Sequence, residues 1–389
     1  MSHLKKHSLT GTTDHDLTGL IPGQLLNIDA SGTTIASSGV YALSGTVTAA
    51  TYYSGSTPLQ TILDSISGGG GGGGFTGWTN GSGLGSIIAN NGTNNIASSY
   101  FSIVGGTINS ATSVNNFIGG GYKNEAGGPY SSIVGGKQNL INSSGQLSAI
   151  VGGASNSATS VFTFIGGGLY NQATSPYASI VGGKLNLVGH YSYASTIGGG
   201  IGNRVLSSYA AVVGGYKNLA NASGVFIGGG TENSGFTLNN VVVGGLRNSA
   251  SGLYSSILGG YKNIVSGEYS AIAGGKLNLL KSVKSFIGGG ILNTANTSTY
   301  AAIVGGSQNL IENNYGSFIG AGNVNRIFGN YSAIIAGAVN MSNGYASLIG
   351  AGKSNSAITS YSTIVGGNYN LASGSRSFIG AGNANKSTG

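Results

Sequence analysis

From residue 102 onward the chain repeats one short pattern: a small residue, one or two branched apolar residues, a glycine pair, two variable positions and an asparagine. Residues 102–109 read SIVGGTIN, 117–124 read FIGGGYKN and 132–139 read SIVGGKQN. Nineteen copies close on an Asn, among them Asn109, Asn124, Asn139, Asn186, Asn218 and Asn263, and of the eighteen intervals fourteen are 15 residues, two are 16 and two are 17. A degenerate extra copy begins at Ser86. A unit this short cannot hold two packed helices, and its glycine pairs would break either one. Two short strands and two tight turns fit, so the pattern predicts an all-β parallel β-solenoid, a β-roll of about 19–20 coils with a 15-residue period. Coils about 4.8 Å apart would stack into a rod of roughly 90 to 95 Å.

The Asn reads as turn chemistry, because it tolerates left-handed backbone angles and bonds its local backbone. Stacked in register, each Asn is also expected to bond the copies above and below, as in cross-β ladders. The phrase alternates between an IVGG type, with Tyr130, Tyr177, Tyr300 or Tyr361 three places before its Ile, and a type with Phe117, Phe164, Phe286 or Phe378 immediately before it. The unit is therefore close to a 30-residue pair. Successive strand residues face opposite ways, so in pairs such as Ile103 and Val104 only one can enter the roll. That places Val104, Val134, Val181, Val213 and Val304 on an outer apolar stripe, which calls for a partner surface. The expected partner is the chain itself, as a homotrimer.

Composition narrows the class. Glycine holds 75 positions and charged residues are only 6%, yet four prolines and paired glycines exclude a collagen repeat, and 40% hydrophobic residues exclude disorder. With no cysteine there is neither a disulfide framework nor a thiolate metal site. The first twenty residues lack the apolar core of a signal peptide, and no run is long enough for a membrane helix. The expectation is a protein made in the cytoplasm without a signal peptide and without membrane insertion. Residues 1–67 carry none of the repeat and are expected to be an attachment region, with 59–67 forming a brief helix or turn. Residues 68–85, opening on seven glycines, form a glycine-rich linker, and 86–389 form the rod, its first coil capped by Trp78.

Catalytic chemistry is sparse. Glycosidases need two carboxylates about 5 to 10 Å apart, whereas Glu125, Glu232, Glu268 and Glu312 are spread over the rod. His190 is the rod's only histidine and has no acid near it in sequence. His3, His7 and His15 beside Asp14 and Asp16 are metal-ligand types without diagnostic spacing, in what reads as a docking tail. The glycine run lacks the Lys-Ser or Lys-Thr of a phosphate loop. No cofactor and no enzymatic activity are expected. Fourteen Lys or Arg stand against four Glu in the rod, and many precede the closing Asn by one or two places: Lys123, Lys137, Lys184, Lys217, Arg247, Lys262, Lys276 and Lys353. They would form a basic stripe, serving solubility or attraction to acidic surface glycans. No nucleic-acid module is visible.

The repeat resembles the parallel β-roll of trimeric autotransporter adhesin heads, where short strands and an Asn or Ser turn recur. The segment HSLTGTTDHDLTGLIPGQLLNIDASGTTIAS, residues 7–37, and TVTAATYYSGSTPLQTIL, residues 46–63, look like the virion-proximal part of bacteriophage fibre proteins. These resemblances imply a structural fibre or appendage of a phage virion, docked on a virion protein by its N-terminus and projecting the rod for host-surface adhesion or as a spacer. A tip protein on the last coil is a further expected partner. The alternatives are a bacterial trimeric surface adhesin and, third, a polysaccharide depolymerase spike.

Overall fold

The computed structural model describes residues 25–27, 34–36, 53–54, 57–58, 78–89 and 94–389. His3, His7, His15, the expected turn at 59–67 and the glycine run lie outside them. The chain divides into two units, Met1–Gly72 and Gly73–Gly389. In the first, Leu25–Asn27 pairs antiparallel with Thr34–Ala36, and Tyr53–Ser54 with Thr57–Pro58.

The second unit is a parallel β-solenoid of about twenty coils, and the described residues contain no helix. Each coil contributes a two-residue strand to sheet one, such as Phe117–Ile118 or Ser132–Ile133, and another to sheet two, such as Glu125–Ala126 or Leu140–Ile141. Every strand pairs with its equivalent one coil on, Phe117 with Ser132 and Ile118 with Ile133 in sheet one, Glu125 with Leu140 in sheet two. Single-residue bridges such as Thr107 to Tyr122 and Tyr122 to Lys137 make a third ladder between the glycine pair and the Asn. Trp78–Asn80, within the segment read as linker, is a strand that runs antiparallel to Ile87–Ala89, which in turn pairs with Ile103–Val104. This hairpin ends the run of parallel pairing in sheet one with an antiparallel strand.

Within each strand the second residue points inward. Sheet one supplies a column of fully buried Ile, including Ile133, Ile150, Ile165 and Ile180, opposite Ile141, Ala158, Ala173 and Val188 from sheet two. Burying each large aliphatic side chain contributes about 1.5–3 kcal/mol, which the two-residue strands could not supply through backbone pairing alone. Where sheet two offers only Gly235, Val225 fills the gap, with its Cγ1 2.5 Å from where a Cβ would stand. Core volume is thus balanced coil by coil.

The glycine pair divides into two unlike positions. The second glycine of each pair has a left-handed backbone, φ +91° at Gly215, and a Cβ there would press onto the carbonyl oxygen of Gly230 in the next coil. At the first glycine, Gly214, nothing lies within 4 Å. The sequence agrees: Ala321, Ala336, Ala351 and Ala381 replace the first glycine, while Gly322, Gly337, Gly352 and Gly382 keep the second.

Candidate functional surfaces

The closing asparagines stand inside the roll. Asn109, Asn124, Asn139, Asn186, Asn218 and Asn263 are at most 1% exposed. Asn218 shows the common pattern. Its Nδ2 donates to the carbonyls of Gly214 in its own coil and Gly230 in the next, at 2.8 and 3.0 Å, and its Oδ1 accepts the Asn233 N–H at 2.9 Å. One side chain thereby satisfies the Gly214 carbonyl and the Asn233 amide, and gives the Gly230 carbonyl a second donor beside the Tyr216 N–H. The expected Asn ladder is present, and it extends to the glycine carbonyls as well as to neighbouring Asn residues.

The residue just before each Asn is held at left-handed φ, 54° at Lys123, 58° at Leu185 and 52° at Lys217. Such a backbone costs a non-glycine residue about 1–2 kcal/mol. Cross-coil bonds hold it there: the Lys123 N–H donates to Thr107 O at 3.1 Å and the Gln138 N–H to Tyr122 O at 2.8 Å. Consequently these side chains all leave the coil at one corner.

A second polar ladder lies at the entry to sheet one, and sequence reasoning missed it. Ser148 Oγ donates to Ser160 O at 2.8 Å and accepts the Thr163 N–H of the next coil at 2.9 Å; Ser270 does the same with Ser282 O at 2.7 Å and the Ser285 N–H at 3.0 Å. The signal was a Ser or Asn two places before the buried Ile, as in Ser131, Ser148 and Ser332.

The outer side of sheet one is apolar and exposed. Val134, Val181, Val213 and Val304 point outward with about half of each side chain exposed (52–56%). Val104 is a correction: it is fully buried and pairs with core Ile118. Only four residues separate Val104 from Asn109, whereas five separate Ile118 from Asn124, so the shorter segment rotates Val104 into the core. In Phe coils the outward Val position is Gly, and the Phe ring folds over it: Phe117 Cε1 lies 3.2 Å from the Cβ position of Gly119. Phe117, Phe164, Phe226 and Phe286 remain 39–41% exposed.

Beside this face runs an aromatic ladder. Phe162 and Tyr177 stack at 4.8 Å, followed by Tyr193 and Tyr209 at 5.2 and 5.7 Å; a second run joins Tyr300, Tyr315, Tyr331, Tyr345 and Tyr361 at 5.1–5.6 Å. The rings repeat at the spacing of the coils, so each packs on its neighbours. Burial between its neighbours raises the Tyr315 hydroxyl above the ordinary phenol range.

The basic residues occupy the Asn corner. Lys123, Lys137, Lys184, Lys217, Arg247, Lys276 and Lys353 are exposed and Lys262 is half-buried. They do not form one even stripe. From Lys217 to Lys276 they join in a network: Lys217 Nζ lies 4.9 Å from the Tyr216 ring centre, and Lys262 and Lys276 lie 5.3 and 5.8 Å from that of Tyr261. Arg247 pairs with Glu232. A hydrogen bond from Arg247 holds the Glu232 carboxyl below its ordinary range, and the same bond raises Arg247. Hydrogen bonding with Tyr216 raises Lys217, and a hydrogen bond from Lys262 lowers the Tyr261 hydroxyl.

Among the described residues no three His, Cys, Asp or Glu side chains gather as a metal site. Glu125 lies on the outer side of sheet two, while Glu232 is engaged with Arg247 several coils away. His190 is exposed in the turn of a 17-residue coil. No helix among the described residues is long and apolar enough to cross a membrane. Neither a protein-family model nor a curated protein matches this chain.

Proposed function

We propose that this chain is a non-enzymatic structural fibre or appendage of a phage virion, docked through residues 1–67 and projecting its solenoid as a self-associated rod. The exposed apolar face of sheet one carries this reading. Val134, Val181, Val213 and Val304 with Phe117, Phe164, Phe226 and Phe286 make a stripe that recurs along the coils. With coils about 4.8 Å apart, the stripe runs for tens of ångströms along the rod, longer than the scattered apolar residues a monomer commonly exposes. Copies of the same chain, as a homotrimer, cover it. Inside the roll, the Asn and Ser side chains are committed to cross-coil bonds, which suits a mechanical element. The fibre-like segments at residues 7–37 and 46–63 supply the virion assignment. A host-surface glycan is the partner this reading gives the rod's exposed flank.

Deleting residues 1–67 tests docking. Particles assembled with the truncated chain should lack it in immunolabelled electron micrographs, while the purified rod keeps its β circular dichroism. Normal incorporation of the truncated chain would overturn the reading.

A further inference from the structure

In five consecutive coils, the two positions before the closing Asn hold Lys217, Glu232, Arg247, Lys262 and Lys276. The coils closed by Asn293, Asn309, Asn325 and Asn340 carry no charge there, nor do those closed by Asn156, Asn171 and Asn203. A need for solubility alone would spread charge along the rod; this is a bounded patch. Four cations face one carboxylate, and that carboxylate is engaged by Arg247.

The patch is also ordered by its own contacts. Lys217 rests on Tyr216, and Lys262 and Lys276 share Tyr261. Lys276 reaches that ring because its backbone bridges directly to Tyr261 in the coil before. Leu246, next to Arg247, bridges to Tyr261 in the following coil, so the patch is continuous from Glu232 to Lys276. The left-handed backbone at Lys217, Arg247 and Lys262, φ 52–57°, fixes the direction in which these three leave the corner. Two ammonium groups on one ring repel each other, and an anion between them relieves that repulsion.

We infer that this corner, from Lys217 to Lys276, is a binding site for an extended carboxylated polysaccharide lying parallel to the rod axis. Four cations at intervals of one or two coils span about 20 Å, the reach of a short run of a linear polyanion. Lys217 sits by the Tyr216 ring and Lys262 and Lys276 by the Tyr261 ring, which leaves less ring surface for base stacking than the open aromatic platforms of single-strand binders. The site deepens the proposed glycan partner but does not depend on virion docking, since it is complete on the purified chain.

The test uses the full chain and an immobilised polyuronate at low salt, with neutral dextran and an oligothymidylate as competing probes. The wild type should bind the polyuronate, release it with rising salt, and ignore dextran. The quadruple variant Lys217→Gln, Arg247→Gln, Lys262→Gln and Lys276→Gln should bind at least tenfold more weakly. A variant with the same charge change at Lys123, Lys137, Lys184 and Lys353 should stay within twofold of wild type. Equal loss in both variants would mean diffuse net charge and would overturn the site. So would tighter binding of oligothymidylate than of polyuronate, or no polyuronate binding by the wild type. Circular dichroism and oligomer mass should match in all three proteins, and particle incorporation, scored separately, reports on the docking reading.

Discussion

The two glycines of each pair should respond oppositely to alanine, and Gly214 and Gly215 make the comparison within one turn. At Gly215 the backbone is at φ +91°, and a Cβ would press on the Gly230 carbonyl oxygen and stand 2.6 Å from Asn218 Nδ2. The left-handed backbone costs alanine about 1–2 kcal/mol, and the overpacking about 1–3 kcal/mol more. Displacing Asn218 also weakens its bonds to Gly214 and Gly230, at about 1 kcal/mol each. Gly215→Ala should therefore destabilise by about 4–7 kcal/mol. Gly214→Ala meets open space and removes freedom from the unfolded chain, so it should be neutral or stabilise by up to about 1 kcal/mol. Urea titration gives the global change, and amide hydrogen exchange shows whether protection is lost first in the coils around Asn218, as expected of a stacked repeat. Equal behaviour of the two variants would refute the assignment of steric demand to the second glycine alone.

Asn218→Ala strands the carbonyl of Gly214 and the N–H of Asn233 and leaves Gly230 O with the Tyr216 N–H alone, so a loss of about 2–3 kcal/mol is expected in the same urea titration. An unchanged midpoint would reduce the Asn to a turn former. Leu185→Gly relieves a left-handed backbone at φ 58° and should stabilise by about 0.5–1 kcal/mol after glycine's own entropy cost. A lower melting temperature would show that the Leu185 side chain contributes more than the strain it bears. Replacing Val134 and Val181 with Asp should dissociate the oligomer while each rod stays folded, because both side chains point outward and an unpaired carboxylate in a covered interface is strongly destabilising. An intact oligomer by light scattering would place the contact on another face.

The coil period, the strands and the Asn ladder were legible because identical steric demands recur in every coil and few residues meet them. Only glycine fits the second position of the pair, and Asn is the short side chain that carries an acceptor and two donors. The Ser ladder was harder to read because Asn116, Ala178, Val225 and Asn240 also occupy its place, so no single residue type marks it. The left-handed position before each Asn was invisible for the opposite reason: Lys, Leu, Tyr and Glu all stand there, and its backbone is imposed by neighbouring coils. Val104 misled because strand alternation gives two faces but not their sense, and a one-residue deletion reverses it. The basic residues were legible as a register. The gathering of Lys217, Arg247, Lys262 and Lys276 around Tyr216, Tyr261 and Glu232 required knowing which coils are neighbours.

The claim that this rod is built to be covered by its own copies is tested most directly by the mass of the purified full chain in dilute solution. Light scattering during gel filtration should give three times the 38.4 kDa of one chain, unchanged on tenfold dilution. A folded species with the mass of one chain at every concentration would contradict the account.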